Sequence, residues 1–353
     1  MQTKSDGSYR SITHKKIRTV IPLMLAVLVF TIILAVALGA VYVPFGQAVK
    51  IILKNWGLIG NVELPKDKEP IIFLVRLPRV LVACLVGAAL ATCGSVMQGM
   101  FRNPMADPGI LGVSSGAGLG AVTSIALGLA AQSMYFMPLF AAVGALMAVG
   151  VIYLLSLRSG KIPTLTLILS GIAVSTFIGA ITQLVLVNSN DYEVRTFIFW
   201  TMGGLNGMMW EQVRLIAIPV ILLISALLLF TRDLNIMLLG EEEAQSVGLD
   251  PSRTRKILLL ITSLTTAVAI SVSGPVSFVG LIVPHIMRLI VGPDHRILVP
   301  ASAVGGAIFL VCCDIISRVP PNGEIGVGII TSLLGAPYFL YLLVKARKES
   351  VVL

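Results

Sequence analysis

Charged side chains are scarce in this chain. Asp, Glu, Lys and Arg make up 12% of its 353 residues, whereas 56% are hydrophobic, and the mean hydropathy is +0.96. A soluble domain carries about 25% charged residues, so the composition excludes a soluble globular protein. The formal net charge of +9 does not indicate a nucleic-acid partner, because the basic residues lie in the gaps between apolar runs and form no soluble basic domain. The sequence predicts a polytopic helical membrane protein.

Catalytic and metal-binding patterns are also missing. The sequence has no glycine-rich phosphate loop, no HExxH and no paired carboxylates within an apolar run. Its three histidines, His14, His285 and His295, are isolated from possible co-ligands. Its four cysteines all lie in apolar runs, which predicts buried thiols at Cys84, Cys93, Cys312 and Cys313. We therefore expect that the chain is not an enzyme and that it binds no metal or cofactor itself.

Long apolar runs predict the membrane spans. A helix needs roughly 20 apolar residues to cross about 30 Å of hydrocarbon. On this count the spans lie near residues 20–43, 80–100, 109–130, 134–157, 162–187, 215–231, 257–273, 276–291, 297–316 and 325–344. The chain then divides into an N-terminal tail (1–19), a transmembrane domain (20–348) and a C-terminal tail (349–353).

Basic residues predict the orientation. Lys and Arg precede the first span, recur in alternate gaps and follow the last span, which places both termini in the cytoplasm of a multi-pass plasma-membrane protein. The first outer gap breaks this bias, because it contains several basic residues, among them Arg76 and Arg79. These two arginines either pair with lipid headgroups or groups of the chain, or dock a partner outside the membrane.

The polar stretch 231–256 stands out in the apolar half of the chain. Met237, Leu238, Glu241, Ala244 and Val247 are predicted to share one side at helical spacing. Gly240 predicts a break between two short helices, and Asp250-Pro251 predicts the cap and first turn of the next long helix. The stretch is either a loop lying on lipid headgroups or a docking element for a soluble partner.

Two further motifs are interpreted as structural. Gly112, Gly116 and Gly120 recur every four residues, which predicts close helix packing in lipid. Pro104 and Pro108 disfavour a continuous helix, so residues 98–109 are predicted to form a structured cytoplasmic turn.

The predicted spans offer no relay of charges for a proton- or sodium-driven carrier. Asp314 is the lone carboxylate in any span and lies near an outer end, while His285 and Arg288 lie near a cytoplasmic end. Energy for transport is therefore expected from a partner, and an amphipathic cytoplasmic helix in 231–256 is a means of coupling to it.

The sequence resembles the FecCD family in several motifs that agree in order and spacing. These are RLPR at 76–79, GSVMQGMFRNPMADPGILGVSSGAGLG at 94–120, LGEEEAQSVGL at 239–249, GPVSFVGLIVPHIMRLIVGPDHR from Gly274 and LLGAPYFLYLL at 333–343. The resemblance implies an all-α, ten-span permease of a type II ABC importer, with an internal inverted repeat. It also implies three partners: a cytoplasmic ABC ATPase that holds ATP and Mg, an extracytoplasmic binding protein, and a second permease copy or related permease.

The resemblance assigns roles to particular residues. Coupling helices are expected at about 235–250, with ATPase contacts at Leu239, Gly240, Glu241, Ala244, Val247, Gly248 and Leu249. Binding-protein docking is implied for Arg76, Arg79 and Arg318, and a cytoplasmic gate for Thr164. The segment after Arg318 is one residue shorter than in relatives, with Gly326 where proline is expected, which leaves the pose of Arg318 open.

The cargo is not determined by the residues. An iron(III)–siderophore complex is expected because such chelates are the commoner cargo of the family that the sequence resembles. Cobalamin or haem is the alternative. A secondary carrier and a membrane-embedded enzyme are other classes, and the absent relay charges and catalytic groups argue against both. Whether the permease pairs as a homodimer or a heterodimer stays open.

Overall fold

The described structure is helical throughout. This computed structural model describes residues 3–39, 41, 43–60, 68–157, 162–320 and 323–351, and no strand occurs among them. The α-helices are α1 Thr3–Ala37, α2 Phe45–Asn55, α3 Lys68–Pro70, α4 Leu77–Phe101, α5 Val113–Ala126, α6 Leu129–Gln132, α7 Phe136–Ser156, α8 Thr164–Val187, α9 Asp191–Thr201, α10 Trp210–Leu229, α11 Thr231–Met237, α12 Glu241–Ser246, α13 Pro251–Ser273, α14 Val279–Val291, α15 His295–Ser317 and α16 Val327–Val351. A π-helical turn, Ile71–Arg76, joins α3 to α4, and a 3-10 turn, Pro108–Leu111, precedes α5.

The helices follow the predicted spans in order. Within the described ranges, 7 helical segments are long and apolar enough to cross a membrane: Thr19–Ala37, Lys68–Phe101, α7, α8, α10, α13 and α15. Three shorter apolar helices, Val113–Ala126, Val279–Val291 and Val327–Leu342, take the remaining predicted positions. The all-α membrane fold is thus confirmed. The internal inverted repeat and the tail boundaries stay predictions.

Helix α4 lies at the centre of the fold. It is buried along nearly its whole length and packs against α10, α13, α14 and α15. Glycines permit these close approaches, because a Cβ on Gly87 would collide with the carbonyl of Gly306, and one on Gly94 with the carbonyl of Gly280. Small residues at such crossings let helix backbones meet closely, which is how helices associate in lipid.

The glycine ladder packs α5 against α7, as predicted for two of its three members. A Cβ on Gly116 would collide with the carbonyl of Gly144, and one on Gly120 with the carbonyl of Phe140. Gly112 is different: it precedes α5 in a left-handed conformation, with φ of 67°. The prediction that Gly112 belongs to the helical face was therefore wrong, because the 3-10 turn ends there and the helical register starts one residue later.

The predicted turn signals act as expected. Helix α4 ends at Phe101, and Arg102 adopts a left-handed conformation before the two-proline turn. Asp107 then caps the 3-10 turn, since its Oδ1 accepts from the Gly109 amide at 2.7 Å. Asp250 caps α13 in the same way, accepting from the Arg253 amide at 3.0 Å. Side-chain capping of free amides is what stabilises these helix starts.

Three chain segments meet through glycines in what we call the glycine junction: Gly203, Gly274, Gly326 and Gly328. The Gly204 amide donates to the Ser273 carbonyl at 2.8 Å, and the Gly328 amide donates to the Gly203 carbonyl at 3.2 Å. A Cβ on Gly203 would collide with the carbonyl of Pro275, and one on Gly274 with the carbonyl of Trp200. The end of α13, the start of α16 and the segment that follows α9 are therefore joined backbone to backbone.

The cysteines are only partly buried. Cys93 and Cys313 are buried, Cys84 is half-buried, and Cys312 is exposed on α15. The prediction of four buried thiols was thus wrong for Cys312. Its neighbour Cys313 points inward, and consecutive helical residues face directions about 100° apart.

Candidate functional site

Residues 231–249, which we call the coupling segment, form two short helices, as predicted. Helix α11 ends at Met237, and α12 begins at Glu241. Gly240 lies between them with φ of 136°, a conformation that L side chains rarely adopt. Gly248 follows α12 with φ of 86°, and the capped start of α13 comes two residues later. The segment is therefore a built pair of helices and not an extended loop.

The exposed face of this segment differs from the predicted one. Leu239 and Val247 are 66% and 63% exposed, whereas Ala244 is fully buried and Met237 nearly so. The single helical face predicted for these residues was wrong, because the turn at Gly240 breaks the register between α11 and α12. We call the three exposed apolar residues Leu238, Leu239 and Val247 the apolar ridge; in sequence they flank three consecutive glutamates.

Inward contacts hold the segment to the membrane helices. Leu234 of α11 is fully buried, and α11 packs against both α4 and α15. Glu241 accepts a hydrogen bond from the Arg255 guanidinium at 2.7 Å, which ties α12 to α13. Leu249 is half-buried and packs against the core. A force applied to the apolar ridge is therefore passed to helices that are packed inside the protein.

Arg76 lies inside the protein, on the side opposite the coupling segment in the predicted topology. Its guanidinium donates to the carbonyls of Val36 and Ala37 at 3.0 Å each and to the carbonyl of Val41 at 2.6 Å. The residue is only 6% exposed. These bonds satisfy the last carbonyls of α1, which have no partner within their own helix. Arg76 thus terminates the first span.

Arg79 and Arg318 share one buried carboxylate. Arg79 Nε donates to Asp314 Oδ1 at 2.8 Å, and Arg318 Nη2 lies 3.1 Å from Asp314 Oδ2. Arg79 Nη1 also donates to both oxygens of Glu324, at 2.9 and 2.7 Å. Arg318 further donates to the Ala35 carbonyl at 3.1 Å. We call Arg79, Asp314, Arg318 and Glu324 the outer ion-pair cluster.

The cluster is buried to different degrees. Asp314 is fully buried, and Glu324 is 37% exposed at its edge. Burial lowers the pKa of the Arg318 guanidinium, and the Asp314 carboxylate opposes this shift. Breaking such a buried pair leaves an uncompensated charge, which is strongly unfavourable.

Of the alternatives that the sequence left open for Arg76 and Arg79, the structure shows pairing with groups of the same chain. Arg76 and Arg79 do not project from the membrane face, because carbonyls and carboxylates of the same chain bind their guanidinium groups. Binding-protein docking by Arg76, Arg79 and Arg318 stays a prediction, with an added condition: these intrachain bonds must open or be shared. Part of the segment that was expected to be shortened, residues 321–322, lies outside the described residues.

A cavity of about 600 Å³ opens beside Arg79 and Glu324. Apolar and aromatic side chains supply most of its wall, among them Trp200, Met202, Met208, Val272, Ile325 and Ile329. The cavity offers a bulky, largely apolar surface with charge at one edge. Across the described part of the chain, no group of three His, Cys, Asp or Glu residues is arranged to hold a metal ion.

Thr164 stands apart from the other predicted site residues. It is the first residue of α8, follows Pro163 and is exposed. Neither the coupling segment nor the outer ion-pair cluster includes it. Its role as a gate stays a prediction.

Sequence reasoning missed two residues at these sites. Glu324 was read only as part of a shortened segment, and its ion pair with Arg79 spans 245 positions. Asn235 was not singled out, although its carboxamide bonds Asp294 and His295 across the fold. The sequence did contain a signal for Asn235. It is a polar residue on a short helix next to two apolar residues, Leu234 and Met237, which the structure buries.

Comparisons with known proteins match most of this chain to one family of transport proteins. The model of the FecCD transport family matches residues 27–345. The cobalamin import system permease protein of Halobacterium salinarum is 48% identical over 281 residues, which are 79% of this chain and 75% of the relative. The hemin transport system permease protein of Yersinia pestis is 42% identical over 281 residues, covering 78% and 83%.

A solved structure has the same architecture. It is an ABC transporter described as metal-chelate type, in an inward-facing conformation. The two chains superpose with a TM-score of 0.81 at 30% identity, and the match covers 93% of this chain and 99% of the other.

Proposed function

Because this chain belongs to the FecCD transport family and is the permease of a type II ABC importer, we propose that it carries a large metal chelate across the plasma membrane. In this proposal an extracytoplasmic binding protein delivers the cargo. A separate ATPase supplies the energy, and this chain holds neither ATP nor Mg. A second copy or a related permease completes the pathway, and both termini lie in the cytoplasm.

The apolar ridge is the observation that carries the coupling proposal. Leu239 and Val247 are exposed on two short helices that are themselves anchored to buried helices. An exposed apolar patch with a polar rim is typical of a protein–protein contact. The sequence contains no phosphate-binding loop of its own, so the partner at this ridge is proposed to be the ATPase.

An iron(III)–siderophore complex is the first cargo that we propose. It is supported by the likeness to the metal-chelate type transporter over nearly the full length of both chains. The cavity beside Arg79 supports a bulky cargo with an apolar body, since its wall is mainly apolar and aromatic. The lack of a metal-ligand cluster among the described residues fits a cargo that keeps its metal inside a chelator.

Cobalamin is the second candidate. The relative from Halobacterium salinarum is named a cobalamin import permease and is 48% identical to this chain. Cobalamin is also a large metal chelate, so it belongs to the same class of cargo. Haem is a third member of this set, through the 42% identical relative from Yersinia pestis.

The cargo is tested by uptake into proteoliposomes that contain the permease, its ATPase and its binding protein. Radioiron-loaded ferrichrome, radiolabelled cyanocobalamin and hemin are offered separately. We expect ATP-dependent accumulation of the iron chelate that orthovanadate abolishes and an uncoupler does not change. Accumulation of cyanocobalamin alone would establish the second candidate. Uptake driven by an ion gradient without ATP would overturn the importer proposal.

Selectivity is proposed to lie in the binding protein. The spans hold almost no charge that could recognise one chelate, and the outer ion-pair cluster is occupied by its own carboxylates. Equilibrium dialysis of permease and ATPase without the binding protein should show no tight chelate binding. Micromolar or stronger affinity for one chelate in that preparation would contradict this assignment.

A further inference from the structure

Asn235 joins the coupling segment to the inner end of α15. Its Nδ2 donates to Asp294 Oδ1 at 2.7 Å, and its Oδ1 accepts from the His295 amide at 2.9 Å. The same Oδ1 lies 2.9 Å from His295 Nδ1. One short side chain on α11 therefore makes three contacts with the first residues of another helix.

The chemistry of these groups fixes their orientation. A carboxylate only accepts and a backbone amide only donates, so the Asn235 carboxamide can bond both in one orientation. Asn235 Oδ1 is then an acceptor, so His295 Nδ1 must be protonated and donate to it. Asp294 Oδ1 also caps α15 by accepting from the Arg296 amide at 3.0 Å. The contact therefore has only one arrangement of donors and acceptors, and it includes Asp294, the residue that caps the start of α15.

The contact is enclosed by α4. His295 is 1% exposed, and its Nε2 has no hydrogen-bond partner among the residues that the structure describes. Gly99 of α4 lies against the ring, because a Cβ at that position would collide with Nε2. The ring therefore packs directly on the α4 backbone at Gly99, so the Asn235 contact lies between α11, α15 and α4.

Helix α15 connects this contact to the opposite side of the protein. It is helical over 23 residues, from His295 to Ser317, a length of about 35 Å at 1.5 Å per residue, and Pro300 lies in its second turn. Its outer end carries Asp314, the shared carboxylate of the outer ion-pair cluster. The two ends of one helix therefore contact the coupling segment and that cluster.

We propose that Asn235 is a positioning residue for transport, which makes α15 move with the coupling segment and so transmits ATPase closure to the outer ion-pair cluster. This inference rests on the proposed function, since it requires an ATPase at the apolar ridge. It adds the route by which the signal leaves the ridge: Asn235 to the Asp294–His295 helix start, along α15, to Asp314.

The test uses the permease–ATPase complex in nanodiscs and needs no cargo. Amide hydrogen exchange is measured in peptides that contain Ile325 and Gly328, whose amides donate to the carbonyls of Ser317 and Gly203. In the wild type, MgATP with vanadate should change this exchange. Asn235→Ala and His295→Gln should lose the change while the variants still co-purify with the ATPase and hydrolyse ATP. A purely structural role would not separate these readouts.

Two variants serve as matched controls. His295→Asn places an amide donor near the position of Nδ1 and should retain the wild-type response. Arg296→Ala alters an exposed neighbour whose backbone amide still meets Asp294, and it should also behave as wild type.

The outcomes separate the two proposals. A wild-type response in Asn235→Ala and His295→Gln overturns the transmission route and leaves the importer function standing. Loss of co-purification in both variants also overturns it, because Asn235 would then shape the docking surface. Failure of the wild-type chain to bind an ATPase overturns the proposed function itself.

Discussion

Arg79 Nε and Asp314 Oδ1 lie 2.8 Å apart inside the protein, although 235 positions separate the two residues in sequence. The pair joins α4, at the centre of the fold, to the outer end of α15. Each partner has a second ion pair: Arg79 with Glu324, and Asp314 with Arg318. The charges therefore compensate one another, which is the condition for keeping them in so apolar a protein.

Replacing Asp314 with alanine should strongly lower the stability of the permease. The change leaves Arg318 without its carboxylate and Arg79 with Glu324 alone, and removing one partner of a buried pair costs about 3–5 kcal/mol. Thermal unfolding of the purified permease in detergent measures the loss. Glu324→Gln is the matched control, because its carboxylate is 37% exposed, and such a pair contributes about 1 kcal/mol or less. Equal losses in the two variants would contradict the central role of Asp314.

Gly120→Ala should destabilise the contact between α5 and α7. The added methyl group would collide with the Phe140 carbonyl, and overpacking of this kind costs about 1–3 kcal/mol. Gly150→Ala is the control, because nothing lies within 4 Å of a Cβ there. Alanine favours helix over glycine by about 1 kcal/mol, so the control should be neutral or stabilising. Unfolding midpoints of the two variants in the same detergent decide the point.

Asp substitution on the apolar ridge should uncouple the permease from its ATPase. Leu239→Asp or Val247→Asp puts charge on a side chain that is more than 60% exposed, so folding is spared while an apolar contact is lost. Losses of about 1.4 kcal/mol or more correspond to at least tenfold weaker binding. Binding of the ATPase to permease in nanodiscs measures the effect. Gln245→Asp, on an exposed neighbour outside the ridge, should bind like wild type.

Ala244→Arg gives a different expectation. Ala244 is fully buried, so arginine there should disrupt the packing of α12 and lower the yield of folded permease. Normal insertion and stability with a selective loss of ATPase binding would place Ala244 at the ATPase surface after all, against the structure.

Arg76→Gln should weaken the end of the first span more than it weakens docking. The guanidinium satisfies the carbonyls of Val36, Ala37 and Val41, and a buried acceptor without a partner costs about 1–3 kcal/mol. Lower thermal stability, with binding-protein affinity unchanged for the folded fraction, is the expected result. Lys50→Gln, at an exposed position on α2, is the control. A large, salt-dependent loss of affinity at unchanged stability would instead support docking by Arg76.

Features set by local chemistry were predictable from the sequence. The spans follow from apolar length, and the break at Gly240 and the cap at Asp250 follow from backbone preference and side-chain capping. Gly116 and Gly120 were correctly assigned to packing because their spacing keeps them on one face of a helix.

Features that depend on distant partners were not predictable in the same way. Nothing in RLPR shows that carbonyls of Val36 and Ala37 meet Arg76, or that Asp314 and Glu324 meet Arg79. The face of Ala244 was misassigned because helical spacing was carried through a glycine turn. A glycine in the turn between two helices lets the second helix take a new direction, and only the tertiary fold fixes that direction.

The glycine junction has a consequence for how a bilayer can surround this chain. Helix α14 has 13 residues, so it is only about 20 Å long, which is less than the roughly 30 Å thickness of the hydrocarbon core. The irregular backbone of 274–278 therefore lies at the depth of the acyl chains, where unpaired amides and carbonyls have no solvent to bond. Thr201, Pro275, Ser277 and Ser332 line an open depression of about 480 Å³ there. The hydroxyl groups of Thr201 and Ser332 bond to carbonyls of their own helices, so this irregular segment meets the depression beside apolar side chains such as Ile329 and Leu333.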